Sequence, residues 1–454
     1  MSQTIQKEAR RYRALLHPLL AGSIVLMALG LILSGGFGPL WQGMVTIVTS
    51  QSVLVTDYVA LAGLGPALFN SGAVALCAIL VLRLCGDVFN GFTIVTAGLM
   101  AGFALFGKNV ANIWPIILGG WLYARAKREP FSKYCNVAMM ATALSPLVSF
   151  MTLSWERPHP GLGLLTGLVI GFFLPPLAEY TSQFQNGMNL YNAGFACGLL
   201  GMMMVPVLKA FGLEPETASI WAKGYNLPIG IAMAVICTGL IAAGLVMGGR
   251  AAWEGYLRLL GTTGRSPSDF VRTFGGAPVL LNMGVNGLAA TGYILLIGGD
   301  LNGATLGGII TIMGFSAYGK HLRNILPVMG GVLLGSVLNH VPLTAPGLQL
   351  AGLFGTALAP FSGVFGIPAG VVVGFVHSSV VLHAGLPLEG MNLYNNGFST
   401  GLITVVMYPI LQSLVSHRKL WVRNLDYYSR FEADSRISES ELAGEDAAGD
   451  EDKT

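Results

Sequence analysis

The chain has 454 residues, 53% of them hydrophobic and only 10% charged, with a mean hydropathy of +0.65. A soluble domain carries about 25% charge, so this composition excludes an ordinary water-soluble globule and turns most of the exterior toward lipid. The net charge of +3 says less than the way the charges are distributed. Glycine is abundant at 62 residues, which suits close helix packing and broken helices in a bilayer. Cys77, Cys85, Cys135, Cys197 and Cys237 stand singly in or beside apolar runs without a CxxC, so neither a disulfide framework nor a metal knuckle is expected.

A spanning helix needs about 20 apolar residues. The first run, 15–34, follows the basic segment Lys7–Arg13. It is longer than the h-region of a signal peptide and is followed by no A-x-A site, so it reads as a retained helix. Further spans are expected near 64–85, 91–107, 110–126, 135–152, 161–178 and 190–210, then near 227–248, 276–298, 303–319, 324–340, 346–363, 366–384 and 393–414. Segments 41–56 and 253–268 begin with Trp41 and Trp253 and are too polar or broken to span. Each reads as an interfacial helix lying along the membrane surface. Residues 425–454 are acidic and without periodicity, and read as a disordered cytoplasmic tail.

The two series of spans are copies of one another. Residues 41–119 align without a gap on 253–331, with roughly twenty identities. Pro66-x-Leu-x-Asn70-x-Gly72 matches Pro278-x-Leu-x-Asn282-x-Gly284, Asn90-Gly-x-Thr93 matches Asn302-Gly-x-Thr305, and Gly107-Lys108 matches Gly319-Lys320. Later, Gly187-Met-Asn-Leu-Tyr-Asn192 recurs as Gly390-Met-Asn-Leu-Tyr-Asn395. Basic residues of short loops stay cytoplasmic. With the N-terminus inside, the Arg125–Lys133 loop falls inside and the Gly212–Ser219 loop, with Glu214 and Glu216, outside. The Arg250–Arg272 connector, Lys320–Arg323 and His417–Arg423 also fall inside. The uncharged Asn339–Pro346 loop, the counterpart of Arg125–Lys133, falls outside.

The expected fold class is therefore all-α: a polytopic transmembrane helix bundle of two inverted-topology repeats, about seven helices each and about 14 spans in all, some broken or re-entrant. Residues 1–212 form the first repeat and 213–424 the second. The chain is expected in the inner (cytoplasmic) membrane with both termini cytoplasmic.

Inverted repeats place a substrate site near the midplane, between discontinuous helices. Matched polar and glycine clusters inside apolar segments point to Asn189, Tyr191, Asn192, Asn392, Tyr394 and Asn395, and to Asn70, Asn282, Asn90 and Asn302. Asparagine offers donors and an acceptor, tyrosine an aromatic wall with a hydroxyl, and a helix start free N–H groups. The same asparagines equally suit helix capping. Lys108 and Lys320 read as interfacial lysines that snorkel to the surface, or as anion attractors at each mouth. Asp57 and Asp269 read as helix caps. His377 and His383 occur in one half only, with no acidic partner nearby. No Walker sequence, HExxH or G-x-S-x-G is present, so no enzymatic activity, cofactor or metal is expected.

On its duplication and paired G-M-N-L-Y-N motifs, the chain resembles an uncharacterised family of duplicated prokaryotic membrane proteins, known as a domain of unknown function. A weaker resemblance is to urea transporters, also inverted duplications, through Asn70-x-Gly72, Tyr191-Asn192 and Phe89-Asn90-Gly91. Urea-transporter halves have fewer helices, and this chain has no L-P-F motif. The expected function is a channel or transporter for a small polar solute, urea-like and neutral or a small anion, with no carboxylate evident at mid-membrane. The alternatives are an alternating-access carrier of the seven-plus-seven type and a structural or sensory membrane subunit. The expected partners are the solute and the bilayer, with no nucleic acid; a homo-oligomer is compatible.

Overall fold

A computed structural model of the chain describes residues 3–86, 89–215 and 217–416. The acidic tail, the basic His417–Arg423 end, Asp87 and Glu216 lie outside the described residues, as do the side chains of the Lys7–Arg13 segment.

The described residues form an all-helical bundle in two series. The first comprises α1 (Gln3–Leu33), α2 (Phe37–Val48), α3 (Tyr58–Ala62), α4 (Leu64–Leu84), α5 (Gly91–Phe103), α6 (Trp114–Lys127), α7 (Ser132–Ala141), α8 (Ser145–Leu153), α9 (Pro160–Gln185) and α10 (Asn192–Ala210). The second comprises α11 (Asn226–Leu259), α12 (Phe270–Phe274), α13 (Gly276–Leu296), α14 (Gly303–Phe315), α15 (Leu322–Leu338), α16 (Pro346–Phe354), α17 (Ala359–Phe365), α18 (Ile367–Ala384) and α19 (Asn395–Ser416). Every predicted span has a helix at its position. α11 breaks at Gly249 (φ 52°, ψ −137°), so its two parts match α1 and α2. α3, α4 and α5 each start 212 residues before their counterparts α12, α13 and α14.

Among the described residues, ten helical segments are long and apolar enough to cross a membrane, and their outward faces carry large apolar side chains such as Leu84, Val246 and Leu296 at 84–89% exposure. Trp41, Trp114, Trp121 and Trp253 are also exposed, in keeping with aromatic anchoring at the membrane–water boundary. This is a multi-pass membrane protein.

The remaining elements are the broken ones. α5 and α14 have 13 residues each, about 20 Å at 1.5 Å per residue, against a hydrocarbon core of about 30 Å. The predicted single helices 91–107 and 303–319 therefore stop early, and Lys108 and Lys320 fall in the turns that follow. The predicted spans 135–152 and 346–363 are each interrupted by a 3-10 turn, at Thr142–Leu144 and Gly355–Leu358, just before a proline, Pro146 or Pro360. Proline lacks the N–H that would continue the ladder.

The interfacial reading of 41–56 and 253–268 does not extend to their second halves. After α2 the chain turns inward, and Ser52, Val53, Thr56 and Asp57 are 0–3% exposed. The inward path is held by Asp57 and Asp269, whose carboxylates accept from backbone donors, buried ones in the case of Asp57. Asp57 caps α3 through Val59 N (2.8 Å) and also accepts from Ala222 N (3.0 Å) and Gly303 N (3.2 Å). Asp269 accepts from Arg272 N and Gly91 N, both at 3.0 Å.

Candidate substrate site between the two repeats

Asn70 and Asn282 sit mid-helix in α4 and α13, fully buried. Asn70 Nδ2 donates to the carbonyls of Ala104 (2.7 Å) and Lys108 (2.9 Å), and Asn282 Nδ2 to those of Ser316 (2.8 Å) and Lys320 (2.7 Å). These are carbonyls left open where the short helices end. Asn90 and Asn302 are N-caps, each closing a capping box with Thr93 or Thr305. These four asparagines therefore hold the short helices and the turns behind them.

Those turns carry the two lysines inward. Lys108 and Lys320 are 0% exposed, so the surface-snorkelling reading is corrected: asparagine and glycine geometry bends the chain back before the side chain can reach water. Lys108 Nζ donates to the Tyr394 hydroxyl at 2.6 Å, and Lys320 Nζ to the Tyr191 hydroxyl at 2.6 Å. Each lysine thus meets the tyrosine of the other repeat. The ammonium groups also lie 4.7 and 4.3 Å from the centres of the Tyr394 and Tyr191 rings, within cation–π range. Lys320 gains Thr356 Oγ1 at 2.7 Å, whereas the matching Thr142 bonds Met100. Among the described residues, no carboxylate lies within 4.0 Å of either ammonium.

The tyrosines are set by the asparagines of the G-M-N-L-Y-N motifs. Asn189 Oδ1 accepts from Tyr191 N and Asn392 Oδ1 from Tyr394 N, each at 3.0 Å. Asn192 Nδ2 donates to Ala178 O at 3.2 Å, while its Oδ1 and that of Asn395 are buried without a hydrogen-bond partner. α10 and α19 then begin, and they cross at their starts. A Cβ on Gly194 would lie 2.9 Å from Gly397 Cα, and one on Gly397 3.0 Å from Gly194 Cα.

Around this crossing lies a cavity of about 20 Å³ lined by matched pairs: Phe103 with Phe315, Met140 with Phe354, Leu190 with Leu393, Tyr191 with Tyr394, and Gly194 with Gly397. Two positive helix ends meet there, and the lysines stand behind the tyrosine rings. A wider cavity of about 490 Å³ adjoins it through Met140, Leu190 and Ala193, and is lined by Lys133, Tyr134, Gln185, Asn189, Asn192 and Tyr318 among others. At the positions matching Tyr134, Gln185 and Tyr318 the other repeat has Leu348, Leu388 and Phe106, which are 2%, 1% and 0% exposed.

Of the ten residues singled out by motif, Tyr191 and Tyr394 line the central cavity and Asn189 and Asn192 the wider one. The sequence reading passed over Phe103, Phe315, Met140, Phe354 and Asn396. Matched Phe103 and Phe315 in the Gly-Phe pairs were the available signal; Asn396 has none, because its counterpart is Ala193. His377 is buried between Asn396 and Ser399, whereas His383 bonds the Ser379 carbonyl on its own helix.

The family described as "Protein of unknown function (DUF1576)" matches residues 38–210 and 249–413, once in each repeat, and the chain belongs to it. No curated protein and no solved structure matches the chain.

Proposed function

We propose that this member of the DUF1576 family transports a small anion across the cytoplasmic membrane, by alternating access around a site shared by two inverted repeats. The observation that carries the reading is the crossed pair Lys108–Tyr394 and Lys320–Tyr191 around the central cavity. Removing an ammonium from water is expensive unless charge or hydrogen bonds compensate it. Two such groups beside two helix starts, with no carboxylate within 4.0 Å among the described residues, make an interior that an anion would balance. A neutral amide would gain less from that field than a full negative charge does, so the anion is preferred to the urea-like solute.

The inverted arrangement is supported by α5 and α14. The start of each lies against the residue just past the end of the other: a Cβ on Gly91 would meet the Ala317 carbonyl at 2.5 Å, and one on Gly303 the Leu105 carbonyl at 2.7 Å. The matched pair α5 and α14 therefore runs antiparallel, as the exchange of basic loops between halves would require. Alternating access is favoured over an open channel by the difference between the two approaches, roomy beside Tyr134 and Tyr318 and packed with Leu348, Leu388 and Phe106 where the matched wall lies. On the positive-inside rule the roomy side, which includes Lys133, faces the cytoplasm.

The test is flux into proteoliposomes of the purified chain, comparing monovalent anions, sulfate, urea and acetamide. Saturable anion uptake that responds to an imposed membrane potential is expected. Uptake of urea or acetamide without anion uptake would return the neutral-solute reading, and a linear, non-saturating anion current would favour a channel.

A further inference from the structure

Carriers that couple to protons ordinarily keep a carboxylate or a histidine chain inside the membrane. Among the described residues, the fully buried carboxylate is Asp57, and both of its oxygens accept from backbone N–H groups. His377 is also buried, with Asn396 Oδ1 at 3.1 Å from one ring nitrogen and Ser399 Oγ at 3.2 Å from the other. Both groups are occupied within the scaffold.

The two lysines are differently placed. Each is 0% exposed, and among the described residues neither has a carboxylate within 4.0 Å. An ammonium carries three N–H donors. Lys108 has one oxygen to receive them, the Tyr394 hydroxyl at 2.6 Å, and the Met100 sulfur at 3.6 Å. Lys320 has two, the Tyr191 hydroxyl at 2.6 Å and Thr356 Oγ1 at 2.7 Å. Cys197 stands near Lys108 on α10, its thiol 3.8 Å from the Met140 carbonyl. His321 follows Lys320 and donates to the Thr262 carbonyl at 3.0 Å. A thiol and an imidazole supply no fixed negative charge.

Without water or a counter-ion, the cheaper state of a buried lysine is the neutral amine. The tyrosine hydroxyl serves both states, because it accepts from an ammonium and donates to the lone pair of an amine. An anion arriving in front of the tyrosines reverses the balance, since its charge favours the ammonium. By linkage, the anion then tightens the hold on the proton as much as the proton tightens the hold on the anion. The return of the empty site makes the same demand. Two permanent charges without a counter-ion would oppose it, and two amines do not.

Resting on the anion reading above, we infer that the protein is an anion–proton symporter in which Lys108 and Lys320 each take up one proton with the anion and give it up when the anion leaves. A proton from the side to which the site is open converts each –NH2 to –NH3+, and both protons depart on the other side. A monovalent anion then travels with one net positive charge, and sulfate with none.

The experiment uses proteoliposomes of the purified full chain with a trapped pH dye, given inward gradients of chloride, nitrate or sulfate at a clamped membrane potential. Uptake should acidify the lumen by about two protons per anion. An inside-negative potential should speed chloride or nitrate uptake and leave sulfate uptake unchanged. A carrier of anions alone gives the reverse: no acidification, and slowing of all three by the same potential. Lys108→Arg and Lys320→Arg test the assignment, because a guanidinium stays protonated in proteins. In either variant, the uptake that remains should carry about one proton per anion, and chloride uptake should lose its dependence on potential. If an arginine variant does not fold, Lys108→Met and Lys320→Met are read in detergent. There, saturating chloride, nitrate or sulfate should draw about one proton per chain from unbuffered solution instead of about two. Anion uptake without acidification, slowed by an inside-negative potential, overturns the coupling and leaves the anion reading standing. A ratio that stays at about two in both arginine variants overturns the assignment to the lysines. If none of the three anions is taken up, both readings fail.

Discussion

Asp57 in the first repeat accepts the backbone N–H of Gly303, the first residue of α14 in the second, at 3.2 Å. The reciprocal bond, from Gly91 N of α5 to Asp269, measures 3.0 Å. Each repeat thus caps the short helix of the other, and neither short helix has its N-terminus satisfied by its own half alone. This links the two copies through reciprocal bonds from backbone to carboxylate, buried at Asp57 and partly buried at Asp269.

The two caps are unequal, and their removal should show it. Asp57 serves three backbone donors, Val59, Ala222 and Gly303, while Asp269 serves two, Arg272 and Gly91. A lost cap costs about 1 kcal/mol, and each buried donor left unpaired about 1–3 kcal/mol. Asp57→Ala should therefore lower the unfolding temperature in detergent more than Asp269→Ala does. Equal shifts would mean that the Ala222 bond contributes nothing.

Removing a lysine charge should separate transport from folding. Lys108→Met and Lys320→Met replace each buried ammonium by an apolar chain of similar length, a change that often leaves stability near neutral or improves it. Both variants are expected to reach the membrane in normal amounts and to lose anion flux by at least tenfold, as charge removal from a desolvated site should do. Lys320→Met also frees Thr356, to which the ammonium donates at 2.7 Å. Flux at the level of the unaltered chain in either variant would remove the main support for an anion.

The helix crossing at Gly194 and Gly397 admits no side chain. An added Cβ would sit 2.9–3.0 Å from the facing Cα atom, and overpacking of this kind typically costs about 1–3 kcal/mol. Gly194→Ala should destabilise by that order and push Tyr191 and Tyr394 apart, weakening ligand-induced stabilisation as well. Gly161→Ala is the control: nothing lies within 4 Å of its Cβ, and alanine is the better helix former, so stability should hold or rise slightly. The comparison is read by thermal unfolding with and without ligand.

The helical spans were legible because apolar length and the 212-residue offset are local, additive signals. Within the paired motifs, Tyr191 and Tyr394 line the central cavity. What the sequence hid was depth. Lys108 follows a glycine at the end of an apolar run, as any interfacial lysine would, and only the Asn70 bonds to the carbonyls of Ala104 and Lys108 reveal that the run folds back. The 3-10 breaks at Thr142–Leu144 and Gly355–Leu358 were equally hidden, because hydropathy is blind to a helix that interrupts itself while staying apolar. Asn396 escaped for a different reason. A search for matched pairs discards the residue that makes one wall differ.

Orientation is open to a direct measurement. Lys133 lies in the first turn of α7, where the basic loop enters it, and Thr344 in the uncharged loop before α16, its counterpart in the second repeat. Both are exposed. In a background with the five native cysteines replaced by alanine, Lys133→Cys should react with a membrane-impermeant maleimide only in inside-out vesicles. Thr344→Cys should react only in intact cells or right-side-out vesicles. That opposite labelling follows from the loop charges and from the antiparallel α5 and α14 independently. Labelling of both from one side would reject inverted repeats, and with them a site shared between two oppositely oriented halves.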